Sequence, residues 1–167
     1  RAARPSCRDR SLPGSPRTDP GPFAGVLDGR SAVVTGAGSG IGRATVELLV
    51  ASGVRVLGIG ANPPLGGDID GAEYVELDVR DREALDAAIT GFAATSGLDV
   101  LVTSAGVYGD GKPLDDLAPD DIELVLDVNI LGTIWAVRSA LPALRESRGS
   151  IVCVGSIAGR MGGVLAG

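Results

Sequence analysis

Apolar and polar positions along this chain switch repeatedly between two periods, one near two residues and one near 3.6. "SAVVT" (31–35) predicts a strand, and "GIGRATVELLVASG" (40–53) a helix whose apolar face holds Ala44, Leu48 and Leu49. Gly53 supplies its stop. "VRVLGI" (54–59) predicts a second strand and "EYVELDV" (73–79) a third, after which Asp81 caps a helix running to about Ala94. "LDVLVTSAG" (98–106) is a fourth strand entering a glycine turn. A longer helical region covers 119–146, with Pro119 in its first turn, Asp120 and Asp121 at its positive end, and Pro142 expected to bend it. "GSIVCVGS" (149–156) closes the pattern as a fifth strand. Strands alternating with helices imply βαβ units, so the expected class is α/β, a Rossmann-type doubly wound parallel sheet ending after about the fifth strand.

Composition sharpens this picture. Hydrophobic residues make up 44% of the 167, which excludes a disordered chain, yet aromatics are only 3%. The apolar mass is aliphatic, as suits parallel strands covered on both faces. Residues 1–25 differ: Arg, Pro and Ser dominate, and large apolar side chains are nearly absent. They are expected to form a disordered extension, with residues 26–167 as one dinucleotide-binding domain. Asp9, Asp19 and the prolines weaken a transit-peptide reading of that extension, and the chain does not begin with Met.

The net charge is −6, but residues 1–22 hold five Arg against two Asp, so the body carries −9. An acidic body argues against nucleic acid or an anionic membrane as partner. No apolar run is expected to approach the length of about 18 residues needed to span a membrane. Histidine is absent, which excludes imidazole catalysis and most zinc sites. Cys7 lies in the extension and Cys153 in a strand expected to be buried, so there is neither a disulfide framework nor a metal set. A reducing cytoplasm is the expected setting.

The stretch with the clearest chemistry is Thr35-Gly36-Ala37-Gly38-Ser39-Gly40-Ile41-Gly42, where the first strand turns into the first helix. Glycines there allow a tight turn, a close approach of pyrophosphate to the backbone, and packing of helix on strand. The helix end adds unpaired N–H groups and partial positive charge. No Gly-Lys-Ser/Thr ending follows, which excludes a nucleoside-triphosphate P-loop.

"LDGRSAVVTGAGSGIGRA" resembles the opening of the short-chain dehydrogenase/reductase family. The resemblance continues in order through "LDVRD" (77–81), "SAG" (104–106), "LDVNILG" (126–132) and "GSIVCVGSIAG" (149–159). It implies that Gly36, Ser39, Gly40, Ile41 and Gly42 hold dinucleotide phosphates, that Asp78 bonds the adenine amino group, and that Val79 backs the ring. Ser104, Ala105 and Gly106 would lie under the adenosine ribose. The family usually has Asn-Asn-Ala-Gly there, and Thr103 and Ser104 replace both asparagines. Asn129 matches the catalytic asparagine that holds a helix irregularity and a water, and Ser156 the serine that polarises the substrate carbonyl or alcohol. Read from the residues alone, Asp78 is a turn-capping carboxylate, Asn129 a locally bonded helix Asn, and Ser156 a turn residue.

The implied cofactor is NAD or NADP. Gly60 stands where NAD enzymes of the family carry an acid, and Ser39 where many NADP members carry a base, so neither discriminator is present. The acidic body tips the balance to NAD. The implied reaction is hydride transfer between nicotinamide and a small-molecule secondary alcohol or ketone, the neighbourhood of Val107 and Tyr108 suggesting a partly hydrophobic substrate. The full-length form is expected to be a homo-oligomer. The family's proton donor is a Tyr followed by Lys in a Tyr-x-x-x-Lys pair, whose usual spacing from the serine falls just past Gly167. Tyr74 is expected in the third strand on the far side of the sheet, Tyr108 after the fourth-strand turn, and the lone lysine, Lys112, in a loop. The chain as given is therefore expected to be an inactive fragment of such an enzyme. The alternatives are a non-catalytic dinucleotide-binding module and a translated fragment without function.

Overall fold

A computed structural model describes residues 25–109 and 112–157. Apart from Gly25, the N-terminal extension with Cys7 lies outside the described residues, as do positions 158–167. Five strands form one sheet in the order β3-β2-β1-β4-β5: β1 Ser31–Thr35, β2 Arg55–Gly60, β3 Ala72–Glu76, β4 Val100–Thr103 and β5 Ser150–Cys153. Every adjacent pair is parallel, with Thr35 opposite both Ile59 and Thr103. The expected doubly wound sheet is what the chain builds.

β1 is buried along its whole length because it lies between β2 and β4 and is covered on both faces. Its alternation sends Ala32 and Val34 to one side, where they meet Val56, Val102 and Val46 of helix α1 (Gly40–Ala51). Val33 points to the other side, with Leu57, Ile59 and Leu101. There helix α2 (Arg82–Ser96) contributes Leu85, Ile89 and Phe92. Each fully buried aliphatic chain of this kind stabilises the fold by about 1.5–3 kcal/mol. As expected, Asp81 caps α2, its side chain accepting from Ala84 N at 3.1 Å. β3 stops at Glu76, short of the expected Val79, because residues after it turn to feed this cap, with Asp81 N donating to Asp78 O at 2.9 Å.

The long helical region is not uniform. It comprises α3 (Pro119–Leu126), a π-helical turn (Asp127–Gly132) and α4 (Thr133–Ser147). α4 carries Pro142 inside it and ends at Ser147, within one residue of the expected finish. The region is 29 residues long and holds an 18-residue window of mean hydropathy 1.5, enough by length and composition to cross a membrane, contrary to the sequence expectation. Its Val128, Ala136, Ala140 and Leu144 are nevertheless built into the sheet-covering core beside α2. The opposite face leaves Leu126, Ile130 and Ile134 about half exposed.

Two features set the sheet's edges. At the lower end, Asp99 accepts from Ser31 N at 2.9 Å, Ser31 Oγ at 3.1 Å and Arg30 Nη1 at 2.6 Å, tying the start of β4 to the start of β1. Partial burial pushes the Asp99 carboxyl up, but these bonds from Ser31 and Arg30 outweigh it and hold the group below its ordinary value. At the right edge, all four residues of β5 are exposed. Cys153 is therefore an exposed free thiol and not the buried side chain expected from its strand pattern. Ile151, Val152 and Val154 are 38–51% exposed beside it.

Two outcomes follow from these edges. A depressed carboxyl stabilises the fold above its unfolded pKa and stops doing so as pH falls through the folded one. Asp99→Asn should therefore lower unfolding free energy by about 1 kcal/mol at pH 7 in urea titrations, the gap closing below about pH 4. An exposed aliphatic edge pairs with other chains. The 167-residue chain should sediment as more than a monomer at micromolar concentration, with Val152→Lys shifting it towards monomer. A single monomeric species for the unsubstituted chain would refute the second expectation.

Candidate functional site

The upper edge of the sheet, where all five strands end, collects the candidate residues. β1 leaves the sheet between β2 and β4, the point at which the strand order reverses and α/β folds place their ligands. Gly36 follows at φ 68°, and a Cβ there would stand 2.5–2.6 Å from Ser104 and Ala105 backbone atoms. Only glycine lets the two strand exits lie this close. Thr35 Oγ1 joins them, accepting from Ser104 N and Ala105 N, both at 3.3 Å. A Cβ on Gly42 would in turn run into Gly36 O, so α1 is seated directly against the turn.

Gly40 differs from both. It sits at φ 53° as the first residue of α1, and a Cβ on it would meet nothing within 4 Å. Ser39, the N-cap, is extended and makes no side-chain cap bond. The first N–H groups of α1 therefore have no capping side chain, and Ser39, Gly40 and Ile41 are exposed above them. The cradle suits phosphate, which such N–H groups and the helix dipole attract. Its residues fit a dinucleotide, the glycines excluding side chains from the turn.

Asp78 and Val79 lie in the turn after β3. Val79 is buried, and a Cβ on Gly132 of the π-turn would press its Cγ2, so the two segments touch. Asp78 accepts from Arg80 N at 2.9 Å and is gripped by the Arg80 guanidinium at 2.7–3.1 Å. That side-chain bond, before the backbone bond and the charge itself, holds the Asp78 carboxyl below its ordinary value despite some burial. The sequence did not disclose this pairing, although Asp-x-Arg spacing within one turn was a visible signal.

Asn129 lies within the π-turn, as the resemblance implied. Its Oδ1 accepts from Val107 N at 2.8 Å and its Nδ2 donates to Val107 O at 3.0 Å, a two-point clamp on the chain leaving β4. Gly106 sits beside it, with Asn129 Oδ1 3.4 Å from the place of a Cβ. Ser104, Ala105 and Gly106 are thus fixed from both ends, by Thr35 and by Asn129. Thr103, one of the two residues that replace asparagine, buries a hydroxyl that has no hydrogen-bond partner among the described residues. Ser156 follows β5 on this same edge, beyond the bond from Val154 N to Thr103 O at 2.9 Å, and is exposed.

Tyr74 makes a contact that the sequence pattern does not foretell. It is in β3 as expected, but its side chain reaches back over β2 to the glycine turn. Its hydroxyl donates to Asn62 O at 2.6 Å. Opposite the turn, Arg43 is held by Glu47 at 2.8 Å and by Gly67 O at 2.8 Å.

A model of the short chain dehydrogenase family matches residues 30–166. The 2-dehydro-3-deoxy-L-rhamnonate dehydrogenase (NAD(+)) of Sphingomonas sp. (strain SKA58) is 36% identical over 146 residues, covering 84% of this chain and 59% of its own length. Among solved structures, aldohexose dehydrogenase of Thermoplasma acidophilum in ligand-free form is 30% identical with a TM-score of 0.71, over 78% of this chain and 51% of that one. Carveol dehydrogenase of Mycobacterium avium in complex with NAD is 27% identical with a TM-score of 0.71, over 81% and 57%. The chain spans about three fifths of the length of the curated relatives it matches.

The glycine geometry separates two substitutions. Gly42→Ala forces backbone apart and should destabilise the fold by about 2 kcal/mol or more in thermal melts. Gly40→Ala meets no atom and should lower stability by only about 1 kcal/mol through its positive φ. It should still weaken dinucleotide binding at least about tenfold, since binding needs close backbone approach. Equal effects of the two on both measurements would contradict this assignment.

Proposed function

Because the chain belongs to the short-chain dehydrogenase/reductase family, we propose that it is the coenzyme-binding part of an NAD(P)-dependent oxidoreductase acting on a secondary alcohol or ketone. The observation that carries the proposal is the glycine turn itself. Gly36 and Gly42 are closed to any side chain, whereas Gly40 opens onto the uncapped start of α1 at the sheet's reversal point. A dinucleotide fits that combination of backbone donors and dipole. When bound, the nicotinamide would supply or accept the hydride.

The chain's own residues would do the rest. Gly36, Ser39, Gly40, Ile41 and Gly42 bind phosphate, and Asp78 and Val79 bound the adenine site, Asp78 exchanging part of its Arg80 pairing for the ligand. Ser104, Ala105 and Gly106 form the floor between. Ser156 donates a hydrogen bond to the substrate oxygen, and Asn129 holds the Val107 segment that borders it. Exposed Val107 and Tyr108 favour a partly apolar substrate. NAD is the favoured coenzyme in a body of net negative charge, and the reducing cytoplasm suits the exposed Cys153 thiol. The exposed Leu126, Ile130 and Ile134 stripe favours a homo-oligomer of the full-length protein.

A general acid matched to the working pH contributes about 10²–10⁴-fold in such reactions. The tyrosines among these 167 residues are Tyr74 and Tyr108, and the lysine is Lys112. Tyr74 is committed to Asn62 at the far end of the site from Ser156, so it cannot serve. The proposal is therefore binding without efficient turnover by this span alone. Titration of the 167-residue chain with NADH, followed by nicotinamide fluorescence, should give saturable binding. A panel of secondary alcohols with NAD should give no measurable NADH formation until a Tyr-x-x-x-Lys segment is supplied C-terminal to Ser156. Absence of binding by the folded chain would refute the assignment.

A further inference from the structure

In dinucleotide-binding α/β folds the residue ending the second strand reads the adenosine 2′ position, an acid taking the free hydroxyl and a nearby Arg the phosphate. Here that residue is Gly60, which has no side chain to read with. The space is filled from elsewhere. The Tyr74 ring lies over Gly58, with Cδ2 3.1 Å from the place of a Cβ, and continues across Gly60, whose Cβ would collide with Oη. The same hydroxyl stands 2.9 Å from the place of a Cβ on Gly38 in the phosphate turn. Glycine inside a strand weakens it unless something approaches closely. The ring accounts for Gly60, and the ring together with Ala37 Cβ, 2.9 Å from the place of a Cβ, accounts for Gly58.

The wall is mostly of acceptors, with Gly38 N, 3.4 Å from the place of a Gly60 Cβ, as the backbone donor beside it. Tyr74 Oη has committed its proton to Asn62 O at 2.6 Å, leaving lone pairs on the oxygen. Asn62 O and Pro63 O stand 3.3 and 3.8 Å from the same Gly38 position. The loop that carries them is pinned by Leu65 N donating to Gly38 O at 2.8 Å. Arg43 is already held by Glu47 and Gly67. Burial, with help from the Glu76 charge, raises the Tyr74 pKa, so the phenol stays protonated and its bond to Asn62 persists.

We propose that Tyr74 is the coenzyme-selecting residue of this protein. With the Asn62 and Pro63 carbonyls it forms an acceptor wall that takes a hydrogen bond from an unesterified adenosine ribose and rejects a 2′-phosphate. A ribose hydroxyl has a proton to give, whereas a phosphate dianion offers only more acceptors and charge. The phenol thus replaces the carboxylate that Gly60 lacks. This inference rests on the dinucleotide-binding reading above.

The test is the NADH-to-NADPH affinity ratio, measured by fluorescence titration of the 167-residue chain and its variants, with circular dichroism melts alongside. The unsubstituted chain should bind NADH at least about tenfold more tightly than NADPH. Tyr74→Phe keeps the ring over Gly58 and Gly60 and should weaken NADH about 3- to 10-fold, the loss of one hydrogen bond, while changing NADPH by less than about twofold. Tyr74→Ala combined with Gly60→Asp puts a carboxylate into the vacated space and should restore the preference. A Tyr74→Phe chain that melts normally and keeps the original ratio overturns the inference and leaves the dinucleotide reading standing. A folded unsubstituted chain that binds neither coenzyme overturns both.

Discussion

Everything at the upper edge depends on one close approach between main chains. Gly36 lies so near Ser104 and Ala105 that no Cβ fits, and Gly42 lies as near to Gly36. The first contact sets the distance between the exits of β1 and β4, and the second seats α1 against that junction. Thr35 bridges the same junction through its hydroxyl. With these fixed, the start of α1 faces outward over the crevice between the strands. A looser junction would tilt the helix, and its N–H groups would no longer converge.

From this junction the other parts are positioned in turn. The chain leaving β4 is held by Thr35 at one end and by the Asn129 amide at the other. The turn after β3 is held against the helical region where Val79 meets Gly132. Electrostatics then divides the edge. Backbone donors dominate at α1, while acceptors dominate around Tyr74, Asn62 and Pro63. In the proposed reading, one rim would thereby offer opposite chemistry to the phosphate and sugar portions of a single ligand.

Much of this was legible in the sequence because it is local. Ser31–Thr35 followed by a glycine-rich turn and a periodic helix carries its own signature, and Asp81 announces its cap within three residues. Asn129 was legible only through the resemblance, since a helix-interior Asn has no pattern that foretells a π-turn. Two features that the sequence did not foretell, the reach of Tyr74 and the exposure of Cys153, depend on how distant segments pair. Tyr74 reaches the phosphate turn because β3 pairs with β2 so that Tyr74 lies opposite Gly58. Nothing in "EYVELDV" states that pairing. Cys153 sits in an apolar run that reads as buried, but burial requires neighbours on both faces, and among the described residues β5 is an edge.

The π-turn has a bearing on the whole length of the helical region. Its core-facing residues Val128, Gly132, Ala136, Ala140 and Leu144 recur at every fourth position. In a regular α-helix a step of four over-rotates by about 40°, so such a stripe winds progressively off the sheet. The wider i→i+5 turn rotates less per residue and takes back part of that drift. The irregularity acts as a phase corrector, letting one rod aim Asn129 at Val107 and still lay Leu144 on the core. A straightened helix would have to give up one of the two.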